Sequence, residues 1–192
     1  NGVGAVTVTV VNGASVSVSG ANVTLTSQSV FGGNQSRISQ LGGQATFANV
    51  LAGAFSVSAY DPATGLSGSG SGGVANGGVA NVTVQLQSAG SVLGTVFAAD
   101  GVTPVPSFSV RVSGPVFRQI NTLNNGTFRF DVLPTGTYSL EARDGSGNLR
   151  ARATSIVVSS QGQEVTRDLT LIGTGTVRGV VRKPDSSPAP GF

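Results

Sequence analysis

Gly43-Gln-Ala-Thr-Phe-Ala-Asn-Val-Leu-Ala-Gly-Ala-Phe-Ser-Val-Ser-Ala-Tyr-Asp61 recurs without a gap as Gly126-Thr-Phe-Arg-Phe-Asp-Val-Leu-Pro-Thr-Gly-Thr-Tyr-Ser-Leu-Glu-Ala-Arg-Asp144, 83 positions on at both ends (43 to 126, 61 to 144). Apolar and polar residues alternate in each copy, the two-residue period of strands with one face buried. Ala45 and Phe47 point inward on the first arm, Phe55, Val57 and Ala59 on the second, and Gly53 turns the chain between them. Phe128, Phe130 and Tyr138 hold the matching places in the second copy. The stretch reads as a core-forming β-hairpin present twice.

The same alternation extends outward in both directions. Residues 4–11 form a strand with Val6, Val8 and Val10 inward, followed by a tight turn at Asn12-Gly13. Alternation resumes over Ser15–Ser19 and over Ala21–Ser27, and a short strand is expected around Arg37-Ile38-Ser39. Residues 65–78 are low in complexity, Gly-Leu-Ser-Gly-Ser-Gly-Ser-Gly-Gly-Val-Ala-Asn-Gly-Gly. Glycine loses the most conformational freedom on ordering, so this run reads as a surface loop or a weakly specified edge strand. The sharper reading is that its small side chains admit another backbone at close range. Asn81–Leu86 closes the cycle as a strand.

A second cycle follows. Strands are expected over about 91–98, around Phe108, Val110 and Val112, over Phe117–Thr122, over the twin stretch, over about 149–158 and over 165–172, with a hairpin turn at Asn124-Asn-Gly126. Leu86 and Gly90 match Leu171 and Gly175, while Val92 and Gly94 match Val177 and Gly179, all 85 positions apart. The expected layout is therefore a β-sandwich over 1–89, a second over 90–174, and the opening strand (Thr176–Arg182) of a third, incomplete unit over 175–192. Seven short strands per period, with turn signals every 8–12 residues, is the pattern of an all-β sandwich.

Composition narrows the chemistry. Charged residues are 10 % of the chain, against a usual value near 25 %. No stretch has helical apolar spacing, so no helix is expected. Cys, Met, Trp and His are absent. That excludes disulfides, thiolate or imidazole metal sites, and Ser-His-Asp or Cys-His catalysis. The pI near 10.2 arises from a net charge of only +3, with no Lys/Arg cluster interleaved with aromatics, so no nucleic-acid partner is expected. No apolar run is long enough to span a bilayer. The chain opens inside a strand pattern with no basic–apolar–small leader, as expected of a mature or excised fragment.

At Gly126-x-Phe-x-Phe-x-x-Leu-Pro-x-Gly-x-Tyr-x-Leu-x-Ala142 the chain resembles the carboxypeptidase regulatory-like domain, a transthyretin-like (prealbumin-like) sandwich. Val92–Val96 and Asp100–Pro106 fit that family's opening strand and turn. The likeness covers most of 91–172 and extends more loosely over 4–87, where Leu51 replaces the proline found at Pro134. It appears again at Val177–Val181 and Pro184–Pro190. It implies tandem seven-stranded Ig-like or transthyretin-like sandwiches serving as accessory, stalk or adhesive units. Related pilus and adhesin sandwiches carry Lys–Asn isopeptide crosslinks; the chain's single lysine is Lys183, outside both complete units.

Candidate sites are few. Asp61 and Asp144 share one repeat position, and Asp144-Gly-Ser-Gly-Asn148 faintly resembles a calcium loop. Calcium takes six to eight oxygens, usually several from carboxylates, so an aspartate capping a hairpin turn fits better. Glu141 and Asp131 invite an acid–base pairing. Glu141 however faces outward with Arg143 two positions on, which suits a solvated charge ladder. Phe47, Phe55, Phe128, Phe130 and Tyr138 read as core; Tyr60 is the outward aromatic that could stack on a sugar. Sequons start at Asn22, Asn34, Asn81 and Asn125. No catalytic, cofactor or metal residue is assigned.

Charge divides the repeats. Residues 1–89 carry only Arg37 and Asp61, whereas 90–174 carry seven arginines and six acids. A nearly uncharged surface with unguarded strand edges suggests a unit covered by other copies in a filament or surface layer; a surface adapted to secretion is the alternative. The expected function is a non-catalytic stalk, spacer or assembly subunit outside a bacterial cell, with copies of itself or neighbouring modules as partners. The alternatives are an adhesin recognising glycan or protein through loops at one sandwich end (29–43 or 113–126), and an accessory domain of a secreted enzyme.

Overall fold

Val6, Val8 and Val10 are fully buried on β1 (Val3–Val11), while Thr7 and Thr9 between them keep contact with solvent. The same alternation shapes six further strands, β2 (Asn22–Ser27), β3 (Asn34–Ile38), β4 (Gln44–Leu51), β5 (Gly53–Asp61), β6 (Leu66–Val74) and β7 (Val79–Gln85). The structure is a computed structural model describing residues 2–189, and no helix occurs among them. The strands form two sheets, β4-β1-β7 and β3-β2-β5-β6, with β1 and β7 parallel and the other pairs antiparallel. Between them lies one buried cluster that includes Val6, Val8, Val10, Leu25, Phe47 and Phe55.

The second half repeats this plan with β8 (Ala89–Phe97), β9 (Ser109–Ser113), β10 (Phe117–Asn121), β11 (Thr127–Pro134), β12 (Gly136–Arg143), β13 (Leu149–Val158), β14 (Glu164–Thr166) and β15 (Leu169–Thr170). Its sheets are β11-β8-β14, with β15 also on β8, and β10-β9-β12-β13. The final strand is thus split in two. Between its halves the Asp168 carboxylate accepts the Thr95 N–H at 2.7 Å, so a side chain takes over one ladder bond. A separate cluster, including Val92, Phe128, Phe130, Tyr138 and Leu140, fills this second sandwich. The chain is all-β, built of tandem sandwiches, as the alternation predicts.

The twin stretch is not a hairpin. β4 and β5 lie in opposite sheets, as do β11 and β12. Ala52 alone separates β4 from β5, and Gly53 (φ 135°) and Gly136 (φ 156°) carry the chain across the core. Phe47 and Phe55 therefore enter the shared core from opposite walls rather than side by side on one. The turn at Asn124–Gly126 likewise connects opposite sheets, since β10 and β11 do not pair. Both copies also bulge at one place: Asn49 (φ 55°) and Val132 (φ 52°) sit 83 positions apart, where the pairing with β1 and β8 slips.

Two further expectations change. Ser15–Ser19 forms only an isolated Val11–Ser17 bridge, because Asn12 folds its side chain under the turn and accepts the N–H groups of Ala14 and Val16. The segment after β15 holds a single Arg182–Pro188 bridge and no strand over 176–182. Val177 there is 98 % exposed; a strand draws its hydrogen bonds from neighbours, and among the described residues no strand lies beside 176–180 to supply them. The last three positions of the unit expected over 175–192 lie outside the described residues.

The Gly-Ser run is an ordered edge strand, β6, and it also admits a backbone at close range. A methyl group on Gly68 would stand 2.2 Å from the Gln85 carbonyl oxygen, and one on Gly72 would stand 2.8 Å from the Phe55 ring. The matching positions of β13 are Ala151 and Ser155, so the first sandwich closes more tightly along this edge.

Candidate functional site

Asp61 and Asp144 cap the β5–β6 and β12–β13 hairpins. Asp61 accepts the Ala63 N–H at 3.0 Å and the Thr64 hydroxyl at 2.7 Å. Asp144 accepts the N–H groups of Ser146 (3.0 Å) and Asn148 (2.9 Å) and the Asn148 side-chain amide (3.2 Å). The Asn148 backbone amide foremost holds the Asp144 carboxyl below the ordinary range. These oxygens are taken up by their own turns. Among the described residues no group of three or more carboxylates comes together.

Glu141 and Asp131 are not brought together as a pair. Glu141 stands on β12, where Arg143 donates to it at 2.7 Å and Arg152 lies at 3.9 Å. Asp131 stands on β11 in the opposite sheet, bonded to Arg129 at 2.6 Å and to the Ser91 hydroxyl at 2.8 Å. Each is one rung of a charge ladder on an outer face. The five core aromatics are buried; Tyr138 donates its hydroxyl to the Pro134 carbonyl at 2.7 Å, and burial raises its pKa. Tyr60 is 47 % exposed beside a shallow uncharged groove lined by Asn22, Thr24, Ser67 and Gln87. The four sequon asparagines are exposed, and the loops expected over 29–43 and 113–126 contain the edge strands β3 and β10.

The sequence did not reveal the joint between the sandwiches. β7 ends at Gln85 and β8 starts at Ala89. Within that short link the Gln87 N–H donates to the Ser67 carbonyl at 2.9 Å, and the Ser88 carbonyl accepts the Thr135 N–H at 2.9 Å. The Ala89 carbonyl accepts the Gly162 N–H at 2.7 Å, and its N–H donates to the Gln161 side chain at 2.9 Å. Val132, the bulge residue of the second sandwich, packs against the core cluster of the first. A methyl on Gly13 would stand 2.6 Å from the Gln161 amide oxygen, so the turn after β1 rests on the second sandwich. A cleft of about 430 Å³ remains between them, reached by Asp61, Leu66, Leu86, Asp131 and Val132. The contrast between Leu66 and Leu149 carries the signal: they share a repeat position, yet Leu66 is 5 % exposed and Leu149 40 %.

No known family profile matches the chain, and no curated protein does. Among solved structures the chain is similar to a streptococcal ancillary pilin, with 12 % identity and a TM-score of 0.54 over 88 % of this chain. It spans 62 % of that pilin chain. At that identity the likeness is one of fold. The minor pilin of Streptococcus agalactiae gives 13 % identity and a TM-score of 0.47 over 91 % of this chain and 99 % of that one. A shaft pilin of Lactobacillus rhamnosus GG gives 9 % and 0.45, over 91 % and 100 %.

Proposed function

We propose that the chain is a non-catalytic structural part of a bacterial surface protein, a stalk, spacer or filament subunit acting outside the cytoplasm. One observation carries this reading: the sandwiches are joined by a link without slack, bonded along its length, and Val132 of the second packs against the core cluster of the first. A spacer needs modules that transmit orientation, and flexible linkers would not do so. The residues resembling the carboxypeptidase regulatory-like domain (Phe128, Phe130, Leu133, Tyr138) are core residues. They support kinship of fold with that family. The sandwich likeness to an ancillary pilin supports the same reading. Immunogold labelling of the source cells tests it. Gold on the outer surface or on filaments is expected; gold confined to the cytoplasm overturns it.

A second reading is favoured by Tyr60. Its exposed ring beside hydroxyl and amide side chains, with no charge in the groove, suits a neutral glycan. Binding of neutral oligosaccharides that Tyr60→Ala abolishes would establish it.

A further inference from the structure

Asp61 is a buried charge without a counter-ion. It is 6 % exposed and stands on the inward face of β5 with Phe55, Val57 and Ala59. Its hydrogen-bond partners are neutral: the Ala63 N–H at 3.0 Å on one oxygen and the Thr64 hydroxyl at 2.7 Å on the other. A carboxylate offers about four acceptor sites, so each oxygen can take a further bond. Among the described residues no ion pair reaches Asp61. Asp144, at the same repeat position, differs on both counts: its side chain is 24 % exposed, and Arg150 lies 3.5 Å away. Ser67 stands 83 positions before Arg150, so the first sandwich lacks that cation. Buried charges are ordinarily paired, because desolvating one without a partner is costly.

Asp61 borders the cleft of about 430 Å³ at the joint, a volume within the range of small-molecule sites, about 300–1,000 Å³. Val18, Leu66, Leu86, Ala89 and Val132 line it with apolar surface, and none of its described lining residues is a lysine or arginine. Its other carboxylate, Asp131, is already matched by Arg129 at 2.6 Å and the Ser91 hydroxyl at 2.8 Å. Arg118, the next cation on that side, is bonded to the carbonyls of Asp131 and Val132. The uncompensated charge of the cleft is therefore that of Asp61.

We infer that this cleft binds a primary ammonium group carried on an aliphatic stem, with the ammonium on Asp61 and the stem along Leu66, Leu86 and Val132. An ammonium is a compact charge with three donors, which suits a carboxylate with acceptor sites to spare. A neutral ligand would leave Asp61 without a counter-ion, and an anion would face two carboxylates. The stem removes the apolar lining from water. A free alkylamine and a lysine side chain of a partner chain both carry this chemistry. The site goes beyond the spacer reading and does not depend on it, since a spacer needs a firm joint and no ligand.

The test is a titration of isotope-labelled protein at neutral pH with n-butylamine, n-butanol and butyrate. Butylamine should shift the amides of Ala63, Leu66, Ser91 and Val132. Butanol has the same stem without the charge and should bind at least about tenfold more weakly; butyrate should leave these amides unmoved. Nα-acetyl-lysine methylamide separates the two sources: shifts at the same amides assign the site to a lysine side chain, and their absence while butylamine binds assigns it to a free amine. Asp61→Asn keeps the shape and the acceptor for the Ala63 N–H but removes the charge. It should weaken butylamine at least about tenfold and bring it level with butanol. If that variant does not fold, the comparison of butylamine with butanol on the native chain still decides. Equal binding of the two, shifts confined to the exposed carboxylates of the second sandwich, or no shift at any soluble concentration of butylamine would overturn the proposal.

Discussion

The first sandwich carries one arginine and one aspartate, the second seven arginines and six acids, yet both have the same strand order. They share the bulge at Asn49 and Val132 and the crossing at Gly53 and Gly136. What differs is the outward set. In the second sandwich Arg129 bridges Asp131 and Glu164, all about half exposed. In the first, outward positions on β5 and β6 hold Ser56, Ser58, Ser67 and Ser69. Exposed ion pairs contribute at most about 1 kcal/mol each, so charge can be stripped from one copy without losing its topology. The buried alternation and a few backbone positions specify the fold, and the outer faces are free to diverge for other purposes.

Truncating one core residue at the same place in each sandwich is the strongest way to break this comparison. Phe47 and Phe130 share a repeat position and are 0 % and 2 % exposed. Phe47→Ala and Phe130→Ala should each cost about 3–5 kcal/mol through lost burial and a residual cavity. Urea unfolding with hydrogen exchange read separately in each half measures both. A cost below about 1 kcal/mol for Phe47→Ala would mean that the uncharged sandwich is not held by its core.

The crossing glycines give the next effect. Gly53→Ala meets no atom within 4 Å, so its cost is backbone strain alone, about 1–3 kcal/mol. At Gly136 the added methyl also stands 2.5 Å from Cγ of Pro115. Gly136→Ala should therefore exceed Gly53→Ala, by up to the 1–3 kcal/mol typical of overpacking. Equal thermal shifts for the two variants would show that the Pro115 contact relaxes freely.

Gly68→Ala sharpens the contrast between the β6 and β13 edges. Its methyl points at the Gln85 carbonyl, which belongs to backbone and cannot swing aside. A loss of about 1–3 kcal/mol is expected, with faster amide exchange along β7. Ala151→Gly at the matching site should cost only about 0.5–1 kcal/mol, the ordering entropy of glycine. If Gly68→Ala is neutral, the close approach of β6 and β7 is not what orders the Gly-Ser run.

Alternation made the buried faces legible: Val6, Val8, Phe47, Phe55, Phe130 and Tyr138 all point inward as read. It could not assign strands to sheets, because Phe47 and Phe55 face inward whether β4 and β5 pair or cross the core. Ser15–Ser19 alternates as well as any strand, but a two-residue period says nothing of the Asn12 side chain, which captures the backbone into a turn. The capping roles of Asp61 and Asp144 were legible from their Gly-containing turns. The joint was not, because it depends on a link residue, Ser88, bonding Thr135, the residue between β11 and β12, 47 positions on. Only the unequal exposure of Leu66 and Leu149, a tertiary quantity, exposes it.

The smallest expected effect is titration. In the second sandwich Asp131 is held below the ordinary carboxylate range, first by the Ser91 hydroxyl and then by Arg129; Asp144 and Asp100 are lowered by the Asn148 backbone amide and the Thr103 hydroxyl. Because the folded values are depressed, the unfolded chain takes up protons first, near pH 3.9. The stabilisation is complete above that value and is lost as pH falls through the lower folded values. Asp131 is 56 % exposed, so solvent screens its contribution and the change is modest. A urea series from about pH 6 to pH 2 should show the midpoint of the second sandwich falling below about pH 4. The first sandwich, with one carboxylate against six, should fall less. A first sandwich more acid-sensitive than the second would separate surface charge from pH response.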